Sequence, residues 1–406
     1  MRCSCINCIV PPHILLRLAQ SEKKELRQIA MRTLLTTTRL RGQRSIRARL
    51  TLSDIGAAQR TVYDCHNSTN LSEARVARTE DGQSSSDAAV NRVFDGLGAT
   101  RDFYKQVYRR DSIDGRGMRL NGFVHYDREY NNAFWDGSEM VFGDGDGLLF
   151  GDFTGSIDVI GHELTHGVTE TSAGLVYHRQ PGALNESISD VFGSLVKQWS
   201  LKQTAETADW LIGADIFTPA IGGDALRSLK NPGSAYDNDA FGRDPQPDHM
   251  SRYDDLPDTE EGDFGGVHIN SGIPNKAFYL VATDIGGYAW EAPGHIWYES
   301  LKASSPTTDF KGFAELTFMM ADRLYGAGSR EQQAVASAWQ EVGVRVPPVV
   351  GRMEPPHRPR RADGQAQREE DSLAALSRQV AALAEQVSAL SREVNGGKPR
   401  RVSMRN

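Results

Sequence analysis

The chain has 406 residues, of which 39% are hydrophobic and 24% charged, and this composition excludes a disordered or fibrous protein. Residues 1–60 carry 12 Lys and Arg against 3 Asp and Glu, and residues 351–406 carry 11 against 7, although the formal net charge is -7. The stretch between them is therefore strongly acidic, which excludes a protein that is basic throughout and coats nucleic acid.

The N-terminus lacks the features of a membrane or export segment. No stretch of the sequence reaches the roughly 18 to 20 apolar residues that span a bilayer, so we expect no membrane span. No continuous apolar run of the kind found in Sec-type signal peptides begins the chain.

The four cysteines are unevenly distributed. Cys3, Cys5 and Cys8 lie among the first eight residues and only Cys65 follows, so we expect no disulfide framework. Cys5 and Cys8 could bind a metal or undergo redox chemistry, but unordered thiols are the favoured interpretation.

Residues 13–40 are predicted to be helical. Their apolar residues recur at helical spacing from Ile14 to Leu35, and Ser21 can cap a second helical segment. The following stretch, 41–60, is rich in Arg and has no long apolar stripe, which indicates an exposed linker.

The central part of the chain is predicted to have two different halves. From residue 61 to about 155 the sequence is rich in turn signals such as Asp-Gly, which favours short strands with one amphipathic helix near 86–110. From about 157 to 348 long helical patterns dominate, interrupted by Gly-, Pro- and Asp-rich loops at 218–266. This separation of strands from helices predicts an α+β fold.

The C-terminal part differs from both halves. Residues 349–372 are rich in Pro and in alternating charges, which is typical of a flexible linker. In 373–394 a heptad repeat places mainly Val at the a positions and Leu at the d positions, which favours a parallel coiled coil and a homodimer. The same helix could instead pack on the rest of its own chain. Residues 395–406 form a basic tail.

The strongest chemical signal is the pentapeptide HELTH, from His162 to His166. On a helix, residues four apart share a face, so both imidazoles can bind one Zn²⁺. Glu163 would then lie beside the open position of the metal, where it can act on a water molecule. Alone, the pattern could also be a surface helix with two ordinary histidines.

A second helical pattern supplies the carboxylates that such a site needs. It follows twenty residues after HELTH and contains Glu186 and Asp190, which are again four apart on one face. Two His and one carboxylate leave a fourth position open, which is the arrangement of a catalytic zinc rather than a structural one. Glu186 is therefore predicted as the third ligand, and Asp190 as the partner that orients a ligand histidine.

These motifs resemble the thermolysin family of neutral zinc metallopeptidases. HELTH is followed by GALNESISDVFG, and the blocks NNAFWD at 131–136 and GGVHINSG at 265–272 match further family motifs in the same order. The segment PPHIL at 11–15 is similar to the short propeptide of the protealysin branch. The resemblance covers about residues 61–348 and implies two lobes, with the HELTH helix at the bottom of the cleft between them.

The resemblance implies a division of the chain into a propeptide and two catalytic lobes. Residues 1–55 would be the short, basic, helical propeptide, removed by cleavage in the Arg-rich stretch. Residues 56–180 would form the β-rich lobe that includes the HELTH helix, and 181–348 the helical lobe. The linker, coiled coil and tail described above would extend this core.

The resemblance also assigns roles to side chains outside the zinc site. Glu163 would act as general base and then general acid, while His268 and Tyr177 would stabilise the oxyanion and Asp263 would orient His268. The substrate would be held in an extended pose by four kinds of contact. The residues implied are Asn132, the backbone of Ala133, Arg227, and an apolar pocket lined by Phe150, Phe153, Val159, Ile216 and Leu226.

Calcium sites are where the sequence departs from the family. Only Asp158 and Asp209 remain of the double calcium site, and Lys197, Leu211 and Ala214 occupy other positions of that site, so we expect it to be absent. A second family loop could hold one Ca²⁺ or be a Gly-rich turn without an ion. Its candidate ligands are Phe217, Thr218, Ile221 and Asp224.

The sequence thus predicts a secreted zinc endopeptidase, made as a zymogen, that cuts on the amino side of large apolar residues. Its partners would be peptide or protein substrates and its own propeptide as an inhibitor.

We expect Pro11 and Pro12 to lie near the cleft and prevent a productive pose of the propeptide. In a variant of this hypothesis, the Cys8 thiolate binds the zinc. Two alternatives are an aminopeptidase, for which no amine-binding element is found, and a non-catalytic zinc scaffold oligomerised by 373–394.

Overall fold

A computed structural model describes residues 7–47 and 59–346 of the chain. The predicted linker, coiled coil and tail at 349–406 lie outside the described residues, and so do Cys3, Cys5 and most of the region expected to contain the maturation bond. The dimer prediction is therefore not addressed by the structure.

The N-terminal segment contains one short strand and two helices. Strand β1 spans Asn7–Cys8, helix α1 spans Pro12–Leu18, and helix α2 spans Lys24–Arg47. Pro12 occupies the first turn of α1, where its missing N–H removes no hydrogen bond. Helix α2 continues through Arg47, so the prediction of a linker from residue 41 is wrong for 41–47. Arg and Gln are good helix formers, and the helix therefore needs no long apolar stripe to continue there.

A six-stranded sheet is built from β1 and five strands between residues 60 and 142. Its strands after β1 are β2 (Arg60–Asp64), β3 (Arg75–Thr79), β4 (Leu120–Val124), β5 (Ala133–Trp135) and β6 (Glu139–Phe142). The order is β1-β5-β6-β4-β2-β3, so β1 adds an edge strand, with Cys8 opposite Phe134. Neighbours β2 and β4, and β4 and β6, are parallel, and the other pairs are antiparallel.

Helix α3 (Ala88–Tyr108) packs on this sheet and confirms the amphipathic helix predicted near 86–110. Its close approach depends on Gly122 in β4, because a Cβ there would lie 2.4 Å from a methyl carbon of Val93. The sheet and α3 together form the β-rich lobe.

The second half is helical, as predicted. Its helices are α4 (Ile157–Thr171), α5 (Arg179–Leu201), α6 (Asp263–Asn270), α7 (Gly272–Ile285), α8 (Ala292–Ala303), α9 (Phe310–Tyr325) and α10 (Arg330–Glu341). Four two-residue strands pair between α5 and α6: β7 (Leu211–Ile212) with β8 (Arg227–Ser228), and β9 (Asp237–Asn238) with β10 (Gly242–Arg243). The α+β, two-lobed fold class predicted from the sequence is therefore confirmed.

Helices α4 and α5 cross at an unusually short distance. Gly161 of α4 faces Gly193 of α5, and a Cβ on Gly193 would lie 2.5 Å from the carbonyl oxygen of Asp158. Because such a contact is too short for any side chain, glycine is required where the two helices meet. The crossing brings the HELTH residues against the carboxylates of α5.

A continuous apolar core joins the N-terminal segment to both lobes. Ile14, Leu15 and Leu18 of α1 are buried in the same cluster as residues of the sheet and of α4 and α5. The N-terminal segment is thus packed as part of the fold rather than as a separate arm. Within 7–47 and 59–346, no helix has the length and apolar character that a membrane crossing requires.

Candidate metal centre and substrate cleft

Three predicted ligands meet in the interior where α4 crosses α5. The Nε2 atoms of His162 and His166 are 3.0 Å apart, and each lies 3.5 Å from an oxygen of the Glu186 carboxylate. All three side chains are fully buried. Among the described residues, they form the group of His, Cys, Asp and Glu whose ligand atoms lie within 4.8 Å of one another.

Both histidines are oriented through their other ring nitrogen. His162 Nδ1 lies 2.8 Å from Asp190 Oδ1, and His166 Nδ1 lies 2.8 Å from Asn185 Oδ1 and 3.0 Å from Ser189 Oγ. These acceptors hold a proton on Nδ1, which leaves the Nε2 lone pairs directed at the shared centre. Burial and then His162 lower the pKa of His166 well below its usual range, so its imidazole is neutral, as a metal ligand must be.

Asn185 and Ser189 are functional residues that the sequence reasoning missed. They are four residues apart in α5 and share a helix face, just as Glu186 and Asp190 do one position later. The same spacing argument applied to the preceding residue of each pair would have found them.

The donor set fits a zinc ion. Two neutral imidazoles and one carboxylate are ligands that Zn²⁺ accepts, and three protein ligands leave a position open for chemistry. Glu186 Oε2 is buried and has no hydrogen-bond partner within the described part of the chain. A buried carboxylate oxygen without a partner is costly unless a cation satisfies it, which supports a metal at this centre.

Glu163 lies beside the metal centre with one oxygen fixed and the other unused. Its Oε2 accepts a hydrogen bond from the backbone N–H of Trp135 at 3.0 Å, while Oε1 has no partner among the described residues. Burial, and then the carboxylate of Glu186, raise the pKa of Glu163 well above its usual range. The side chain is therefore held in place with an oxygen available to take up a proton.

Tyr177 and His268 lie beside the carboxylate of Glu186. Tyr177 Oη lies 3.3 Å from His268 Nε2 and also donates to Glu186 Oε1. Asp263 Oδ1 lies 2.5 Å from His268 Nδ1, and its Oδ2 accepts from the backbone N–H of His268 at 2.7 Å. Although burial acts against a charged imidazole, Asp263 and then Glu186 outweigh it and raise the pKa of His268. Burial raises the pKa of Tyr177 well above its usual range, so both groups act as donors.

The backbone before His268 is sharply bent. Asp263, Phe264, Gly265 and Gly266 all have positive φ values of 52° to 83°, although the first two are not glycine. Such conformations are disfavoured for residues with a Cβ and persist where the surrounding structure enforces them. The bend lets Asp263 reach back to both the ring and the backbone of His268.

Residues 8–10 of the N-terminal segment are bound through their main chain by residues of the candidate site. The N–H of Ile9 donates to the carbonyl of Ala133 at 3.2 Å, and the N–H of Val10 donates to Asn132 Oδ1 at 3.0 Å. Asn132 and Ala133, the two residues predicted from the NNAFWD block, therefore both accept hydrogen bonds from the main chain of this segment.

Two further side chains bind the carbonyls of the same segment. Arg227 Nη1 donates to the carbonyl of Ile9 at 3.0 Å, and His268 Nε2 lies 3.1 Å from the carbonyl oxygen of Cys8. Arg227 is itself held by Asp190 through Nε and Nη2 at 2.9 Å each. The structure therefore brings Asn132, Ala133, Arg227 and His268 together on one short peptide.

The side chain of Ile9 is fully buried in an apolar cluster. The five predicted pocket residues are buried in the same cluster: Phe150, Phe153, Val159, Ile216 and Leu226. Phe150 stacks on Phe241 with ring centroids 5.3 Å apart, so part of its surface is committed to core packing.

The main-chain contacts in the cleft are made by the residues just before Pro11 and Pro12. The residues bound at Ala133, Arg227 and His268 are 8–10, whereas Pro12 already begins helix α1. Pro11 and Pro12 follow directly after the bound residues, at the start of helix α1, and their position near the cleft as the cause of inhibition stays a prediction. Cys8 contacts His268 through its carbonyl and is not part of the described metal-ligand group.

Lys197 occupies the space between the two carboxylates left from the double calcium site. Its Nζ lies 3.3 Å from Asp158 Oδ2 and 2.8 Å from Asp209 Oδ2. Burial alone would lower the pKa of Lys197, but Asp158 and Asp209 outweigh it and raise that pKa. An ammonium at this place supplies positive charge where the family motif would use calcium.

The loop predicted to hold one calcium is folded as a turn against the sheet lobe. Thr218 Oγ1 donates to the carbonyl of Leu148 at 2.6 Å, and Phe217 stacks edge-on with Phe150. The N–H groups of Ile221 and Asp224 are bonded to the carbonyls of Thr218 and Ala235. A calcium ion in this loop stays a prediction.

Comparison with known families gives two matches that together span most of the described chain. Residues 33–170 match the family described as "Thermolysin metallopeptidase, catalytic domain". Residues 173–344 match the family described as "Thermolysin metallopeptidase, alpha-helical domain". The boundary between the matches falls between α4 and α5.

Individual relatives match over most of their length. An "Extracellular metalloprotease" of Pectobacterium carotovorum subsp. carotovorum is 45% identical over 344 residues, which are 84% of this chain and 97% of the relative. "Protease PrtS" of Photorhabdus sp. (strain Az29) is 47% identical, over 71% of this chain and 76% of the relative. The solved structure "Precursor of Protealysin, Metalloproteinase from Serratia proteamaculans" is 48% identical with a TM-score of 0.74, covering 83% of this chain and 99% of that structure.

Removing the ammonium of Lys197 should destabilise the fold, because it leaves the buried carboxylate of Asp158 without its counter-charge. We expect K197A to lower the free energy of unfolding by about 3 kcal/mol, measured by urea denaturation. K311A, at an exposed position of α9, is the control and should change it by less than about 0.5 kcal/mol. Equal stability of the two variants would contradict a role for Lys197 as an internal cation.

Proposed function

Since the chain belongs to the thermolysin family of metallopeptidases, we propose that it hydrolyses peptide bonds on the amino side of large apolar residues, at the site formed by His162, His166 and Glu186. The enzyme class follows from the family: the chain is a zinc metalloendopeptidase made as a zymogen. The observation that carries the proposed specificity is the binding of residues 8–10, with Ile9 buried at the cleft.

The bound segment supports an assignment of subsites. The Cys8 carbonyl lies on His268, and the next carbonyl, that of Ile9, lies on Arg227. The Cys8–Ile9 peptide bond therefore occupies the position of the bond to be cut, and Ile9 occupies the pocket for the residue that follows it. An apolar pocket filled by isoleucine supports cleavage before Ile, Leu, Val or Phe.

The chemistry divides between the metal and the side chains around it. Zinc held by His162, His166 and Glu186 would supply a Lewis acid that polarises the scissile carbonyl and acidifies a water. Glu163 Oε1 takes the proton of the attacking water and delivers it to the leaving nitrogen. His268 and Tyr177 donate hydrogen bonds to the oxyanion that develops from the scissile carbonyl.

The site holds the substrate through hydrogen bonds to the substrate main chain. Asn132 and the carbonyl of Ala133 accept from its N–H groups, and Arg227 donates to its carbonyl. These contacts would hold the scissile bond beside the metal centre before the reaction begins. Because the reacting groups are already oriented, less entropy is lost on reaching the transition state. Asp263 keeps His268 oriented and charged.

We further propose that residues 1–55 are the propeptide and that their segment 8–10 inhibits by occupying the subsites. The likeness to a protealysin precursor and the packing of α1 into the core support this proposal. The name of the Pectobacterium relative supports an extracellular location. A homodimer through 373–394 and one calcium in the 217–224 loop complete the proposal on sequence grounds.

The first prediction about activity distinguishes a zinc enzyme from a zinc-binding scaffold without catalytic activity. E163A should lose casein hydrolysis by at least roughly 100-fold, because the proton acceptor is gone, while its zinc content stays at that of the parent. E170A, on the same helix, is the control and should keep both. Equal activity of E163A and the parent would remove Glu163 from the mechanism, and cleavage confined to peptides with a free amino terminus would favour an aminopeptidase.

A second prediction concerns the side chain in the pocket. I9A removes three buried carbons, which weakens the closed form by about 2 kcal/mol and should raise the peptidase activity of the unprocessed chain roughly 30-fold. The measurement is the initial rate on a blocked peptide, with gel analysis showing that the chain is still intact. M31A, whose side chain is 50% exposed on α2, should leave the rate unchanged. An unchanged rate in I9A would argue against inhibition through this pocket.

The third prediction is that inhibition weakens in acid through His13. Its Nε2 lies 3.0 Å from Tyr236 Oη, and its Nδ1 is without a partner among the described residues. Burial lowers the pKa of His13 to about 4; Asp263 opposes the shift, whereas His268 and Arg227 add to it. The closed form thus holds neutral His13, so docking is strongest above pH 6.5 and weakens as the pH falls towards about 4.

The measurement is the activity of the unprocessed chain divided by that of the matured enzyme at each pH from 7 to 4, which cancels the pH dependence of catalysis. The ratio should rise as the pH falls in the parent. H13Q, which cannot be protonated, should show a flatter ratio. The same pH dependence in both proteins would remove His13 from the explanation.

A further inference from the structure

The carboxylate of Asp190 is the point at which several parts of the site meet. It is 0% exposed, and its Oδ1 lies 2.8 Å from His162 Nδ1. Arg227, which also binds the Ile9 carbonyl, donates to both of its oxygens. The orientation of this one carboxylate therefore sets both a metal ligand and a substrate-binding cation.

Asn275 supplies a further hydrogen bond to this carboxylate. Its Nδ2 donates to Asp190 Oδ2 at 2.9 Å, from a position in the first turns of α7. Asn275 is 0% exposed, and its Oδ1 has no hydrogen-bond partner among the described residues. A buried amide with an unsatisfied oxygen is costly to the fold, so packing alone gives no reason for an asparagine here.

The donors are distributed unequally between the two oxygens of Asp190. His162 uses Oδ1 only, Asn275 uses Oδ2 only, and Arg227 spans both. Rotation of the carboxylate about its last bond would break the bonds of His162 and Asn275 together. Asn275 therefore opposes the rotation that would turn Oδ1 away from His162.

The backbone of Asn275 is tied to the oxyanion side of the site. Its N–H donates to the carbonyl of Ser271 at 3.0 Å, and Ser271 Oγ donates to the carbonyl of His268 at 2.8 Å. The segment from His268 to Asn275 thus contacts the Cys8 carbonyl through His268 at one end and the Asp190 carboxylate through Asn275 at the other.

We propose that Asn275 is a positioning residue, whose amide fixes the rotation of Asp190 so that His162 and Arg227 are presented together to metal and substrate. This inference rests on the proposed function, since it assigns Asn275 to the same site. Its side chain donates to Asp190, and through that carboxylate it acts on His162 and Arg227.

The test is zinc affinity, measured on the full-length chain by competition with a chelator, with zinc alone as the probe. N275L keeps the branching and the number of side-chain heavy atoms but removes the donor, so zinc should bind roughly tenfold more weakly or worse, as for other partners of metal-bound histidines. On the matured enzyme, N275L should also raise KM, because Arg227 loses its fixed partner. If N275L does not fold, N275A is measured in its place. Circular dichroism then gives the fraction of the chain that is folded, and the zinc affinity is calculated for that fraction.

N91L is the matched control, because it removes an amide that bonds Arg78 and Ser85 far from the site. It should lower stability without changing zinc affinity or KM. Zinc affinity of N275L within twofold of the parent would overturn the role of Asn275 and leave the proposed function standing. A parent chain that binds no zinc would overturn the proposed function itself.

Discussion

The close crossing of α4 and α5 is the constraint on which the metal centre depends. Gly161 and Gly193 carry no side chains where the helices cross, so the two backbones lie very close together there. At that distance the helical spacing of four residues places two imidazoles of α4 against the carboxylate of Glu186. A wider crossing would separate ligand atoms that must lie within a few ångströms of one metal ion. Two residues without side chains thus determine the geometry of a site to which they contribute no chemistry.

Once the helices are this close, the charges between them must be paired. Three buried carboxylates each face a cation or an imidazole: Asp190 faces Arg227 and His162, Asp158 faces Lys197, and Asp263 faces His268. Such pairs add little stability over apolar packing, but removal of one partner leaves a buried charge that is costly. The interior is therefore organised for placement of side chains more than for stability. Arg227, which is proposed to bind the substrate, is buried and belongs to this interior network rather than to the solvent-facing rim of the cleft.

The features that could be predicted from the sequence are those with local periodicity. The ligands in HELTH and the pair Glu186 and Asp190 follow from a spacing of four on a helix, and the helix near 86–110 follows from its amphipathic pattern. The features that could not be predicted depend on contacts between distant parts of the chain. Strand β1 pairs with β5 more than a hundred residues away, and Asn275 reaches Asp190 from a different helix. The continuation of α2 through Arg47 rests on helix propensity alone, and no apolar periodicity marks it in the sequence.

Strand β1 completes the sheet with residues that are proposed to leave on maturation. Its departure would expose the edge of β5, with unpaired N–H and C=O groups directed at the cleft. A substrate would then bind as a replacement strand, through main-chain groups that every sequence possesses. The first requirement placed on a target protein is thus conformational: a segment must be able to separate from its own fold and extend along this edge. Compact proteins would resist the enzyme through their stability, whatever apolar residues they contain, while loops and unfolding chains would be cut first.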